Sequence, residues 1–389
     1  MKRTTLSLIS IASFAAIPAA HAQSSVTLYG VIDTSITYVN HAQGKDNAWM
    51  LGNSSAGNLA GSRFGVKGTE DLGGGLKALF QLENGFDPSN GRQGQGGRMF
   101  GRQAYVGVSN DRFGTVTLGR QYDSVVDYLA QTTSNGNWSG YLFSHPFDND
   151  NTDNSFRVNN TVKYASPDMA GFQFGGTYSF SNDVNFANNR QYSFGAQYAT
   201  GGLLLAAAYL QANNTGATSS GAIATNDASF LAQRMRVFGG GINYTFGSAT
   251  VGFTYTNSDY HNPTGNGYLG TPGAIVAAGS TLNRLRFQNF ELNAKYQLTP
   301  AFYVGGEYVY TLENYDSSTG SVKPKVHTVG LMADYNISKR TDFYVQGVYQ
   351  KVAGDKTNSI MDNAFILGTQ APSSTSNQLA FRAAIRHKF

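Results

Sequence analysis

The stretch NQLAFRAAIRHKF (377–389) decides how the rest of the chain reads. Its odd positions are Leu379, Phe381, Ala383, Ile385, His387 and Phe389. Its even positions are Gln378, Ala380, Arg382, Ala384, Arg386 and Lys388. A period of two with one apolar face and one cationic face is the signature of a two-faced β-strand. In a water-soluble sandwich the apolar face would be core. In a membrane barrel it would meet lipid, and the charged face would meet water inside.

Composition and the N-terminus favour the second arrangement. Charged residues make up 13% of the chain, about half the usual fraction of roughly 25%. Aromatics reach 13%, glycine contributes 46 residues, and mean hydropathy is only −0.29. Few charges, many aromatics and many small polar residues suit strands joined by polar loops. With no cysteine, disulfides and thiolate sites are excluded. Lys2 and Arg3, the apolar run Leu6 to Pro18 and the small-x-small triplet Ala20-His21-Ala22 read as a cleaved export signal over 1–22. No other stretch approaches the ~20 apolar residues of a membrane helix. Losing Lys2 and Arg3 lowers the net charge from +4 to about +2, too little to argue for a nucleic-acid partner.

After Gln23 alternating runs recur. Val26 to Tyr38, Phe172 to Phe180, Tyr192 to Tyr198, Phe290 to Tyr296, Phe302 to Tyr310 and Phe343 to Tyr349 all place aromatic and aliphatic residues on one face. Short turns centre on Asp71–Gly75, Asp111–Gly114, Pro167–Gly171, Thr200–Gly202, Gly247–Ser248, Thr299–Pro300 and Ser338–Arg340. Long polar loops fall near 40–60, 88–97, 123–156, 183–189, 213–232, 261–283, 315–323 and 353–376. Seven turns alternating with eight loops join sixteen strands and bring both termini to the short-turn side. The expected fold is one sixteen-stranded antiparallel transmembrane β-barrel over 23–389. Short turns face the periplasm and long loops face outward. Sixteen strands enclose more space than side chains fill, so water occupies the lumen.

Four segments carry a resemblance: SSVTLYGVIDTSITY (24–38), SRFGVKGTEDLGGGLKALFQLENGFD (62–87), GRMFGRQAYVGVSNDRFGTVTLGRQYD (97–123) and the terminal FRAAIRHKF. Together they resemble a general diffusion porin of Gram-negative outer membranes. The resemblance implies a homotrimer in the cell outer membrane and passive diffusion of small hydrophilic solutes and ions. It also implies a third loop folded into the pore. That loop, 123–156, carries Asp123, Asp127, Asp148, Asp150 and Asp153. Asp127, in its inward-going part, is the candidate loop acid. The Pro-Glu-Phe-Gly stretch of some relatives is absent, which leaves open which acids reach the pore.

Alternation turns Phe64 and Val66 outward, hence Arg63 and Lys67 inward. It likewise sends Val158, Val162 and Tyr164 out, and Arg157, Asn159 and Lys163 in. Arg63 and Arg157 also match the constriction arginines of the resembling family. Arg98 and Arg102 share parity with Val106 and Val108, so spacing is ambiguous; the resemblance implies that both line the constriction. Arg120 reads equally as pore wall or subunit interface. With Lys67, Lys163, Arg382 and Arg386, luminal bases outnumber the wall acids Asp33, Glu83, Glu291 and Glu307, which predicts a mild anion preference. Phe389 reads as a girdle aromatic and, by resemblance, as the signal for the outer-membrane assembly machinery. Outer-membrane lipid and lipopolysaccharide are the expected surroundings.

A substrate-specific channel is the alternative, although Trp49 and Trp138 alone make no aromatic slide. A barrel enzyme finds little support. No G-x-S-x-G elbow or H-E-x-x-H motif occurs, and His41, His145, His261, His327 and His387 fall mostly in loops. No cofactor is implied.

Overall fold

The computed structural model of the chain describes residues 25–43, 46–52, 58–269, 274–369 and 371–389. The export signal expected over 1–22 lies outside them. Sixteen long strands follow one another: β1 Ser25–Gln43, β2 Arg63–Gly73, β3 Leu76–Gly85, β4 Gln103–Asn110, β5 Gly114–Gln121, β6 Val158–Ala165, β7 Phe172–Ser179 and β8 Gln191–Thr200. Then come β9 Leu203–Thr215, β10 Phe230–Phe246, β11 Ala249–His261, β12 Leu282–Thr299, β13 Phe302–Ser317, β14 Pro324–Asn336, β15 Thr341–Gly354 and β16 Asn377–Lys388. Three short segments, Asp46–Gly52, Gly265–Asn266 and Gly320–Val322, extend the loops.

Each long strand pairs antiparallel with its sequence neighbours, and β1 closes on β16 from Val31↔Lys388 to Val39↔Ala380. Closure is what lipid demands, because an unpaired N–H or C=O in hydrocarbon costs several kcal/mol. The seven expected short turns all occur at one end, where Gly73, Gly74 and Gly75 take φ of 85°, 62° and 80°. Such values strain any side chain with a Cβ. The other end carries the long connections. Strands β4–β7 are 8 residues each, whereas β9–β15 run 13–18 residues, so one flank of the barrel stands taller.

The closing strand sorts its faces as its spacing predicts. Phe381, Ile385 and Phe389 are exposed on the outside, while Gln378, Ala380 and Arg382 are buried inside. The outer apolar band continues through Phe253, Leu292, Leu331 and Val345. In water so large a patch would drive aggregation; in lipid it is the solvated surface. A concavity of ≈ 990 Å³ between Val251, Tyr296, Leu331 and Val345 belongs to this outer face and not to a solute path.

The packed core lies inside the barrel, between the third loop and the tall flank. It gathers Leu129, Phe147, Phe156, Phe230, Tyr260, Phe287 and Phe365. Val158, expected outside, belongs to it and is 0% exposed. The pairing of β5 with β6 shifts between Gly119 and Gln121, and Asn160 takes φ 54°. That irregularity switches the face on which Val158 stands.

Candidate functional site

The third loop, residues 122–157, runs round the inner wall as short helical turns over Val125–Leu129, Ala130–Thr132, Asn135–Ser139, Tyr141–Phe143 and Pro146–Asp148. Its seat is written into the wall as glycines. A Cβ at Gly175 would collide with Tyr128, at Gly241 with Thr132, at Gly305 with Trp138 and at Gly330 with Phe143. All four stand on the inward parity of their strands, so the missing side chains let a chain of bulky loop residues lie flat. Burying a large apolar side chain in such a seat contributes about 1.5–3 kcal/mol.

Polar contacts fasten the same belt. His145 Nδ1 stands 2.6 Å from Asp150 and Nε2 stands 3.0 Å from Glu291 on β12. With a carboxylate at each ring nitrogen, both nitrogens donate and the ring is the imidazolium. Burial opposes that charge, but Asp150 and Glu291 outweigh it and hold the His145 pKa well above the usual histidine range. Asp150 in turn is lowered to about 2: burial raises it, and His145 with two hydroxyl donors more than compensates. The Ser134 amide donates to Glu291 (2.6 Å), and its hydroxyl donates to Glu307 on β13.

The returning half of the loop is folded by its own side chains. Asp123 accepts from the Val125 amide (2.8 Å) and from Asn151 (2.7 Å). Asp148 accepts from the amides of Asp153 (3.0 Å) and Ser155 (3.1 Å). Asn151 and Asn154 both take φ 62°, which asparagine tolerates better than most residues. This turn carries Asp153 and Asn154 to the edge of a cavity.

That cavity, of ≈ 210 Å³, is bounded on the wall by Arg63, Arg102 and Arg157. Opposite stand Asn135, Thr152, Asp153 and Asn154 of the third loop and Asn58 to Gly61 of the first. Glu83 on β3 organises the arginines. It accepts from Arg102 Nε at 2.8 Å, lies 3.6 Å from Arg63 Nε and accepts from Tyr29 at 2.9 Å. The Arg157 guanidinium lies 5.8 Å from the Tyr122 ring centroid, a cation–π distance. Three guanidinium groups face one wall carboxylate, so the cavity keeps a positive excess. On the loop, burial and Asp148 push the Asp153 carboxyl well above its usual range, while Arg157 and Arg102 pull it back.

The structure separates Arg98 from the other three arginines and corrects its expected place. It lies in the second loop, before β4 begins, and pairs with Asp227 of the fifth loop at 3.1 Å. Arg120 binds the same carboxylate at 2.8 Å and donates to the Gly101 carbonyl at 2.7 Å. Asp127 likewise lies outside the cavity lining, because Lys163 on β6 captures it in an ion pair. Asp153 is the loop acid on the lining. Lys67 stands over the Tyr29 ring, 5.3 Å from its centroid.

Lower in the barrel, Arg382 is buried and donates to Thr37 at 3.1 Å; Arg386 pairs with Asp342 at 3.0 Å. Asp342 and Asp334 were not among the expected luminal acids. Their signal was present: Asp342 precedes the outward Phe343, and Asp334 precedes the outward Tyr335, so alternation turns both inward. They offset the cations of the closing strand.

A sequence model of Gram-negative porins matches residues 7–355. An outer membrane porin protein of Bordetella pertussis is 33% identical over 388 residues, covering 90% of this chain and 94% of its own.

The chain belongs to the Gram-negative porin family.

Outer membrane porin protein 32 of Delftia acidovorans is 40% identical over 179 residues, 45% of this porin and 49% of that protein. Among solved structures, an anion-selective porin from Comamonas acidovorans superposes with a TM-score of 0.73 at 24% identity, covering 94% of this chain and all of that one. At that identity the likeness is one of fold. The barrel, its membership and its outer-membrane location make this protein a channel for passive diffusion.

Proposed function

We propose that the cavity between Arg63, Arg102, Arg157 and the third loop is the constriction, and that it favours small hydrophilic anions. The carrying observation is the imbalance at the cavity: three arginines line it, two of them paired with Glu83, with Asp153 the facing loop acid. Guanidinium groups on a narrow low-dielectric wall focus positive potential into the opening and raise local anion concentration. The exit contributes little, since Asp342 and its neighbours offset Arg386. Arg98 belongs to the bracing of the second and fifth loops rather than to the selectivity ring. The third loop's glycine seats and its His145 anchor keep the opening at fixed width.

The working unit in this reading is a homotrimer in contact with outer-membrane lipid and lipopolysaccharide. Its C-terminal strand, ending at Phe389, addresses the assembly machinery. Reversal potentials of the trimer in a KCl gradient test selectivity. Chloride preference is expected, and cation preference overturns the assignment. Large ohmic steps favour a general porin; small currents blocked by one solute favour a substrate-specific channel.

A further inference from the structure

On the tall flank, two arginine pairs with the same spacing face away from the pore: Arg234 and Arg236 on β10, Arg284 and Arg286 on β12. Register stacks them into two rows. One runs Arg234↔His261↔Arg284↔Asp316 and the other Arg236↔Asp259↔Arg286↔Asn314. On the inner face of these strand segments Met235, Val237, Tyr260, Leu285 and Phe287 are sealed in the core, so the arginines have no access to permeating solute. Below them on the outside runs an aromatic chain, Phe238–Tyr255–Phe290–Tyr310, each ring 5.0–6.5 Å from the next. Such a chain marks the interface where hydrocarbon gives way to headgroups.

We infer that these rows form a binding surface for a phosphorylated lipid headgroup of the outer leaflet. This rests on the reading that the barrel contacts lipopolysaccharide, and it names the site. Charge and height select the occupant. Among the described residues four arginines and Lys323 stand beside three carboxylates, Asp259, Asp316 and Asp355; Arg284 bonds both Asp259 oxygens at 2.6 and 3.1 Å, and His261 shares one of them at 3.2 Å. Arg286 and Lys323 border an outward recess of ≈ 220 Å³ with Asn314, Asp316 and Ser321. The Nε atoms of Arg234 and Arg236 are buried without a hydrogen-bond partner among the described residues. Guanidinium forks suit phosphate oxygens, and the surface stands at headgroup height rather than in the pore.

The test is native mass spectrometry of the full-length assembled protein titrated with diphosphorylated lipid A, and with the same lipid stripped of phosphate. The variant is Arg236→Gln with Arg286→Gln, which spares the Arg284–Asp259 pair; bilayer conductance serves as its fold control. The wild type should prefer the phosphorylated lipid, and the variant should bind it roughly thirtyfold more weakly, from about fivefold per surface cation. Arg236→Lys with Arg286→Lys should retain most of the affinity, and Arg286→Gln alone should show a partial loss where the pair does not assemble. No preference in the wild type overturns both the lipid-contact reading and this site. A wild-type preference that the Gln variant keeps overturns the site alone. A variant with altered oligomeric state makes the face a subunit contact and overturns the proposal.

Discussion

At the residue scale, function turns on which charges remain free. Glu83 neutralises one guanidinium's worth of charge and leaves the cavity positive. Arg157, with no carboxylate bound directly among the described residues and the Tyr122 ring beside it, contributes its charge to the opening most fully. Arg157→Gln should therefore lower the anion-to-cation permeability ratio by roughly twofold, and Arg63→Gln should act in the same direction. Reversal potentials that match the wild type in both variants would remove these residues from the constriction. His145 carries the opposite kind of charge, one fully committed to structure. Replacing it by Gln leaves Asp150 and Glu291 buried beside a neutral group, a loss of about 3–5 kcal/mol. The anchor has a defined pH window. Asp150's contribution is present above the unfolded carboxylate range and is lost as pH falls toward about 2. That of His145 is present below the usual histidine range and is lost as pH rises through its elevated pKa. Unfolding in guanidinium across that range should find the wild type most stable in between, and His145→Gln, whose buried carboxylates lose their cation, less stable as pH rises.

At the scale of elements, the third loop and the closing strand do the positioning. Gly330→Val would drive a methyl group into Phe143, an overpacking cost of about 1–3 kcal/mol. The loop should shift toward the opening, seen as lower single-channel conductance with more open-channel noise. Unchanged conductance would mean that the loop does not depend on this seat. Phe389 closes the seam: its amide donates to the Gly30 carbonyl and the Gly30 amide donates back, both at 3.0 Å. Deleting it should lower the yield of assembled trimer on unheated gels while leaving synthesis unchanged. Strand count, turn–loop asymmetry and face assignment were legible because period-two alternation is a local signal. The face of Val158 was not, because one asparagine at positive φ inverted the alternation. Arg98 was misplaced for a related reason: it precedes its strand, so parity does not govern it, and its partner Asp227 is 129 residues away. The sequence reading put Asp127 forward as the loop acid, and Asp153 stands on the lining instead, since the loop's return turn depends on capping by Asp148. The glycine seats at 175, 241, 305 and 330 were visible as inward small residues, but their occupants were not.

At the scale of the whole molecule, the proposed constriction places selectivity at one narrow level of the barrel. Charges elsewhere are largely spent in pairs: Arg98 and Arg120 on Asp227, Lys163 on Asp127, Arg284 on Asp259, Arg386 on Asp342. The channel's response to pH should then follow the one loop acid at the cavity. Burial and Asp148 raise the Asp153 carboxyl well above its ordinary range, so it takes up a proton at a higher pH than a free aspartate. Protonation removes a negative charge facing Arg63, Arg102 and Arg157. Lowering pH from about 8 to about 5 should accordingly increase chloride preference in a KCl gradient. Asp153→Asn should show the acid-side preference at every pH and lose most of the pH dependence, whereas Asp127→Asn, whose partner is Lys163, should retain it. A pH response that survives Asp153→Asn intact would move the titrating group elsewhere, with Asp148 (held up to about 6 by burial and Asp150) the next to replace. Because the cavity is narrow, raising KCl from about 0.1 to about 1 M shortens the Debye length from roughly 10 to 3 Å. That should weaken the preference without abolishing it; selectivity that vanished entirely would point instead to diffuse surface charge at the channel mouths.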